Sequence, residues 1–197
     1  MAVVAVAVVA GVVAIVASSG GSSTALPGLQ TGPAPWPPEY ADLRERLEAL
    51  GLPAQAQMAA TLHHHDLLQI FVEGRPVVVP ANIGIDQEAG YLTSLHTHDA
   101  SGIMHVESPT VRRFTLGQFF GVWGVRLTST CIGGYCASGG RQLRAFVNGK
   151  PFSGAPGTIP LRQHDDIVLA YGNDAELPHP IPSSYSNSIS PTCAPDC

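Results

Sequence analysis

The chain has 197 residues, enough for one ordinary domain with extensions, and its 45% apolar content suits a folded globule. Charged residues make up only 13% and the formal charge is −5, so no basic patch is available to grip phosphates and a nucleic-acid partner is excluded. Gly (21) and Pro (17) are both plentiful, which implies many turns and some irregular chain.

Residues 2–17 are apolar without interruption. As a helix they would reach about 24 Å, slightly short of a hydrocarbon core of about 30 Å. No Lys or Arg precedes them, so the usual positive flank is missing. Three readings follow: a signal-anchor whose true start lies upstream, a signal peptide cleaved after Ile15-Val16-Ala17, or a buried core helix. Dense Val and Ala followed at once by Ser18-Ser19-Gly20-Gly21-Ser22-Ser23 fit the third poorly. The first two agree that the remainder lies outside the cytoplasm. It would be membrane-anchored and face the exterior or periplasm, or be secreted if the segment is cleaved. The membrane is the partner this segment implies; nothing specifies a protein partner.

Residues 18–38 run from Ser/Gly to Pro-rich, ending in Pro35-Trp36-Pro37-Pro38, a composition that reads as a tether. Residues 39–50 then form a short amphipathic helix. Tyr40, Leu43, Leu47 and Leu50 recur at helical spacing, and Gly51 with Pro53 stops it. Its polar face, Arg44, Glu45, Arg46 and Glu48, is expected to be solvated.

The domain spans residues 39–172, with its core over 62–172. Leu68-Gln69-Ile70-Phe71-Val72 reads as a strand, Glu73-Gly74-Arg75-Pro76 as a turn, and Val77-Val78-Val79 as the returning strand. The sequence immediately before it, His63-His64-His65-Asp66, is a histidine cluster. If the strand already begins there, His63 and His65 share a face and His64 points away.

Residues 95–107 carry the densest chemistry, three histidines and a glutamate. With residues 99–102 as the turn between two antiparallel strands, His96 lies opposite His105, His98 opposite Ile103, and Ser94 opposite Glu107. Alternation puts His96 and His98 on one face, and opposed residues share that face. His96, His98, His105 and Glu107 therefore converge. Asp99 and Ser101 are turn residues that bond local backbone. Imidazole with carboxylate suits zinc, copper or iron, whereas calcium wants oxygen donors throughout. The competing reading is a polar sheet face with no ligand.

Thr115 is placed to cap a helix over residues 116–123, with Phe119, Phe120 and Trp123 at core spacing. Cys131 and Cys136 form one close pair and Cys193 and Cys197 another. An even count in an exported chain implies two disulfides, with three pairings open. Neither pair has Cys-x-x-Cys spacing. Leu143-Arg144-Ala145-Phe146-Val147 leads into Asn148-Gly149, the strongest short hairpin signal. Phe146-Val147-Asn148-Gly149-Lys150-Pro151 echoes Phe71-Val72-Glu73-Gly74-Arg75-Pro76 as a weak internal repeat. Residues 166–171 close the domain as a strand, and residues 173–197 form a Pro/Ser-rich tail with two cysteines. His164 and His179 are isolated surface residues. The expected class is α+β, mostly β: a small antiparallel-sheet domain with one or two short helices, preceded by the N-terminal hydrophobic helix.

Four stretches carry a resemblance: residues 63–74, residues 79–85 (Val79-Pro80-Ala81-Asn82-Ile83-Gly84-Ile85), residues 95–109, and Phe114-Thr115-Leu116-Gly117-Gln118-Phe119-Phe120. Together, over about 110 residues, the chain resembles a family of uncharacterised, membrane-anchored extracytoplasmic domains of bacteria and archaea. The family's first motif is His-x-His-x-His. Its first two positions match His63 and His65, and the third is Leu67, one ligand fewer than the pattern. The family implies no activity. Gly90 followed by His96-Thr97-His98 also opens like a cupin metal motif, but Gly102 and Ile103 stand where a cupin has its Glu.

Three functions are thus in view. The first is a non-catalytic metal-binding domain that takes copper or zinc through His96, His98 and His105, with Glu107, His63 and His65 as further ligands. The second is a metal-dependent enzyme at the same site, with Glu107 as base. The third is a structural or interaction module without metal. No Ser-His-Asp or Cys-His motif is evident, which argues against a metal-independent hydrolase.

Overall fold

A computed structural model describes residues 25–57 and 61–185. The expected hydrophobic N-terminal helix and the pair Cys193/Cys197 lie outside them. The elements in chain order are α1 (Leu43–Leu50), β1 (Ala54–Gln55), β2 (Leu62–Val72), β3 (Arg75–Val77), β4 (Ile85–Asp86), β5 (Tyr91–Thr93), β6 (Leu95–His96) and β7 (Ile103–Ser108). They continue with α2 (Leu116–Trp123), β8 (Cys131–Ile132), β9 (Tyr135–Cys136), β10 (Gln142–Val147), β11 (Lys150–Phe152) and β12 (Asp166–Gly172). The class is α+β and mostly β.

The main sheet has the order β11-β10-β12-β2-β7-β6, with β3 also paired to β2. All of its pairings are antiparallel except β12 with β2, which is parallel. β12 is buried along its whole length, as a strand covered on both faces must be. On one face Ile167 and Leu169 join Leu68, Ile70, Met104, Val106 and the aromatic side of α2 in the main core. On the other, Val168 and Ala170 pack with Phe146, Phe71, Leu177 and Ile181. The chain after Gly172 is therefore a cover for the back of the sheet, at least as far as Tyr185, which packs on Leu67 and Ile103.

Two hairpins flank the centre. Glu73 and Gly74 both have positive φ, as do Asn148 and Gly149, the conformation that matches strand twist in two-residue turns. Phe71 pairs with Pro76 and Phe146 with Pro151, so the sequence repeat is also a repeat of register. The returning strand has the expected three residues but starts two residues early, at Arg75, because the turn is only Glu73-Gly74; Val78 lies beyond its end and is exposed.

α2 begins where Thr115 and Gln118 cap each other reciprocally and ends at Gly124 in the left-handed conformation. α1 starts at Leu43, four residues later than the periodicity implies, and Gly51 ends it with φ 63°. Two expectations fail in this region. Arg46 is fully buried, because its guanidinium donates to Gly121 O (2.7 Å), to Glu39 O (2.6 Å) and to the Glu39 carboxylate. Residues 25–38, in the tether segment, pack on the domain: Trp36 is 2% exposed, meets Trp123 edge-on at 6.0 Å, and its carbonyl accepts from Trp123 Nε1 at 3.1 Å. Composition hides this, since one large aromatic ring anchors many polar neighbours.

Cys131 and Cys136 are bonded and lie directly opposite each other on β8 and β9. The turn before β7 depends on Gly102. It has φ 88°, its carbonyl accepts from Leu68 N at 2.9 Å, and a Cβ there would sit 2.4 Å from Leu68 O. Gly102→Ala is expected to lower stability by about 2–3 kcal/mol through strain and clash. Gly32→Ala, where a Cβ meets nothing within 4 Å, should be neutral within about 0.5 kcal/mol. Urea unfolding of both variants checks this; equal midpoints would refute the role given to Gly102.

Candidate metal centre

β7 lies between β2 and β6, and its register aligns the histidines. His105 is opposite His65 on one side and His96 on the other. Glu107 is opposite His63, and its N–H donates to Ser94 O at 2.8 Å. Alternation along β2 and β7 turns His63, His65, His105 and Glu107 to one face and Met104, Val106 and Leu68 to the core. The strand does begin before His63, so the two histidine clusters form one cluster.

The expected His96–His105 pairing is present. The expected His98–Ile103 pairing is not, because β6 ends at His96. Thr97 N donates instead to Ile83 O (3.1 Å), and Thr97 O accepts from Asn82 N (2.9 Å). The Thr97 hydroxyl donates to Pro80 O at 2.8 Å and accepts from Ile83 N at 3.1 Å. This buried threonine ties the segment to the loop before β4, and the His98 ring still returns to His96, Nε2 to Nε2 at 3.2 Å. Asp99 and Ser101 behave as turn residues: Asp99 Oδ1 accepts from Ser101 N, and Ser101 Oγ from Ile103 N.

The donor atoms are close. His65 Nε2 is 3.0 Å from His63 Nε2 and 3.0 Å from His105 Nδ1. Glu107 Oε1 is 3.4 Å from His63 Nε2 and 3.8 Å from both His96 Nε2 and His105 Nδ1. Ligand nitrogens held at about 2.0–2.1 Å from a tetrahedral ion lie about 3.3–3.4 Å apart, and cis donors at right angles about 2.9 Å apart. Two groups meet the proximity that an ion requires: His63, His65 and His105, and His96, His98 and His105.

His65, His96 and His105 form a buried floor, while His63 and His98 are exposed at the rim. Burial, aided by the neighbouring His105, pushes His65 and His96 down to about 4, and His98 is also lowered, mainly by burial. His105 and the other rings hold the Glu107 carboxyl below its usual range. His65, His96 and His98 are therefore neutral imidazoles beside an ionised carboxylate near neutrality. His96 Nδ1 donates to Thr93 O at 2.9 Å, which fixes the tautomer and leaves Nε2 with its lone pair toward the cluster.

His64 points to the other face as expected, with Nδ1 3.3 Å from the buried Asp66 carboxylate. Leu67, the position that departs from the His-x-His-x-His pattern, sits on the cluster's face opposite Ile103. His164 and His179 are exposed. No proposed ligand was missed among the described residues; the supports at Thr93 and Thr97 were, and only Thr97's place between two histidines hinted at one. Comparison of the chain with protein-family models, curated proteins and solved structures finds no match. The site is therefore read from its own geometry.

A pH dependence follows. Between pH of about 6.5 and about 4, an unfolded His65 or His96 binds a proton that the folded residue refuses, so stability is full above this window and falls as pH drops through it. The two rings interact through His105, so the expected loss for metal-free protein is on the order of 3 kcal/mol, less than two independent sites would give. Urea midpoints above and below the window measure it, and a midpoint that stays constant would contradict the burial of the floor.

Proposed function

We propose that the chain is an extracytoplasmic, membrane-tethered domain that binds a transition metal, copper or zinc, at the histidine cluster. His96, His98, His105, His63 and His65 are its ligands, with Glu107 as a further donor. The observation that carries this reading is the convergence of five imidazoles and one carboxylate where β2, β7 and β6 run side by side. The donor set favours zinc, copper or iron over calcium or magnesium. The Cys131–Cys136 bond supports an oxidising compartment. The membrane anchor in this reading is the apolar run of residues 2–17; among the described residues no helix is long and apolar enough to cross a membrane. An exposed rim over a buried floor suits uptake and release, as in metal trafficking or sensing.

One observation favours the second reading, a metal-dependent enzyme. Glu107 keeps its charge beside the rings, so it could serve as a base for metal-bound water instead of as a ligand. Full-length protein produced in an oxidising compartment is expected to carry stoichiometric copper or zinc by elemental analysis. His96→Ala combined with His105→Ala should remove it while the circular dichroism spectrum persists. Protein without stoichiometric metal, under metal-replete export, would end the metal reading; turnover by the loaded protein that Glu107→Gln abolishes would select the enzyme.

A further inference from the structure

The donors are more than one four-coordinate ion can use, and they are arranged about β7 as two sets. β2 contributes a His-x-His pair, His63 and His65, whose Nε2 atoms are 3.0 Å apart. β6 and the residues just after it contribute another, His96 and His98, whose Nε2 atoms are 3.2 Å apart. The two pairs come from opposite sides of β7, and neighbouring strands lie about 4.8 Å apart, so the strands that bear them are separated by roughly 9.5 Å. The middle strand offers what lies between: His105, a member of both three-histidine groups, and Glu107. A single carboxylate oxygen of Glu107 is within 3.4 Å of His63 in the first set and 3.8 Å of His96 in the second. The His105 ring is 4.3 Å from the His65 ring and 4.4 Å from the His98 ring, centroid to centroid, so it too faces both sets.

Zinc and copper sites in proteins are commonly four-coordinate. One such ion would use His105 with two or three others and leave the remaining histidines without a role. Two ions, one in each set and joined through His105, would employ every donor. We propose that the cluster is a dinuclear site for divalent first-row transition cations. One ion is held by His63 and His65 and the other by His96 and His98, and both share His105 and the Glu107 carboxylate. A shared imidazole uses both ring nitrogens, so filling the pair releases the remaining N–H proton of His105 to solvent.

This inference rests on the metal-binding reading, and stoichiometry separates the two. Metal-free full-length protein would be titrated with copper(II) or zinc(II) and freed of unbound ion before elemental analysis. Two equivalents per chain are expected. The copper(II) electron paramagnetic resonance signal should grow to one equivalent and weaken on the second, because ions that share ligands couple. His63→Ala and His98→Ala should each retain one equivalent with a normal, uncoupled signal. Saturation of the wild-type chain at one equivalent, or two equivalents with no coupling, would overturn the dinuclear site and leave the metal reading standing. Failure to retain any copper or zinc would overturn both.

Discussion

The site depends on one constraint, the register of β7 between β2 and β6. His65, His105 and His96 form a row across three strands only because each pair is in step. A slip of one residue on either side would turn that strand's histidines to the core and its apolar residues to solvent. What holds the register is the opposite face. Met104, Val106, Leu95 and Leu68 are all buried there, and burying each such side chain is worth about 1.5–3 kcal/mol. Imidazoles taken from water gain no comparable driving force by themselves. The apolar face therefore sets the alignment, and the histidines are carried into place by it.

β2 joins this region to the rest of the molecule. Its second half pairs with β12 and β3, and its first half pairs with β7. The hairpin region is covered on both sides, by α2 on one and by the chain after Gly172 on the other. Buried Arg46 and Trp36 extend the α2 side, linking α1 and residues 25–38 to the same core. The rigid half of an eleven-residue strand thus fixes the direction of the half that bears His63 and His65. Sites on regular elements are held more tightly than sites on loops, and four of the five histidines stand in strands. His98 is the exception, and Thr97 compensates by bonding the loop before β4.

Features that depend on near neighbours were legible in the sequence. Asn148-Gly149, the Thr115 cap and the pairing of His96 with His105 all follow from residues within about ten positions. Features set by distant partners were not. Histidines are weak strand formers, so the start of β2 at Leu62 follows from its pairing with β7, some forty residues away. Arg46 looks solvated on a helical wheel until Gly121 and Glu39 supply its partners. Trp36 lies in a run whose composition argues for a tether, and only the pocket beside Trp123 explains its burial. The early end of β6 has the same origin, since the groups that would continue the ladder are taken by Ile83 and Asn82.

Hydrogen bonding among the rings and metal binding compete for the same lone pairs, and the layout of the cluster manages that competition. A neutral imidazole has one N–H and one lone pair. His96 gives its N–H to Thr93 O, so its Nε2 can only accept. The 3.2 Å contact with His98 then requires that His98 donate from Nε2. For both to ligate an ion through Nε2, His98 must move its proton to Nδ1. His96 needs no such change. The ring that must switch tautomer is the one at the exposed rim, where water can solvate the new N–H at little cost, and the ring already locked is on the buried floor, where a new unpaired donor would cost about 1–3 kcal/mol. His63, the other exposed ring, has the same freedom toward His65. A buried ring with a preset lone pair, His96, beneath exposed rings that can switch tautomer lets the cluster accept a cation without rearranging its backbone.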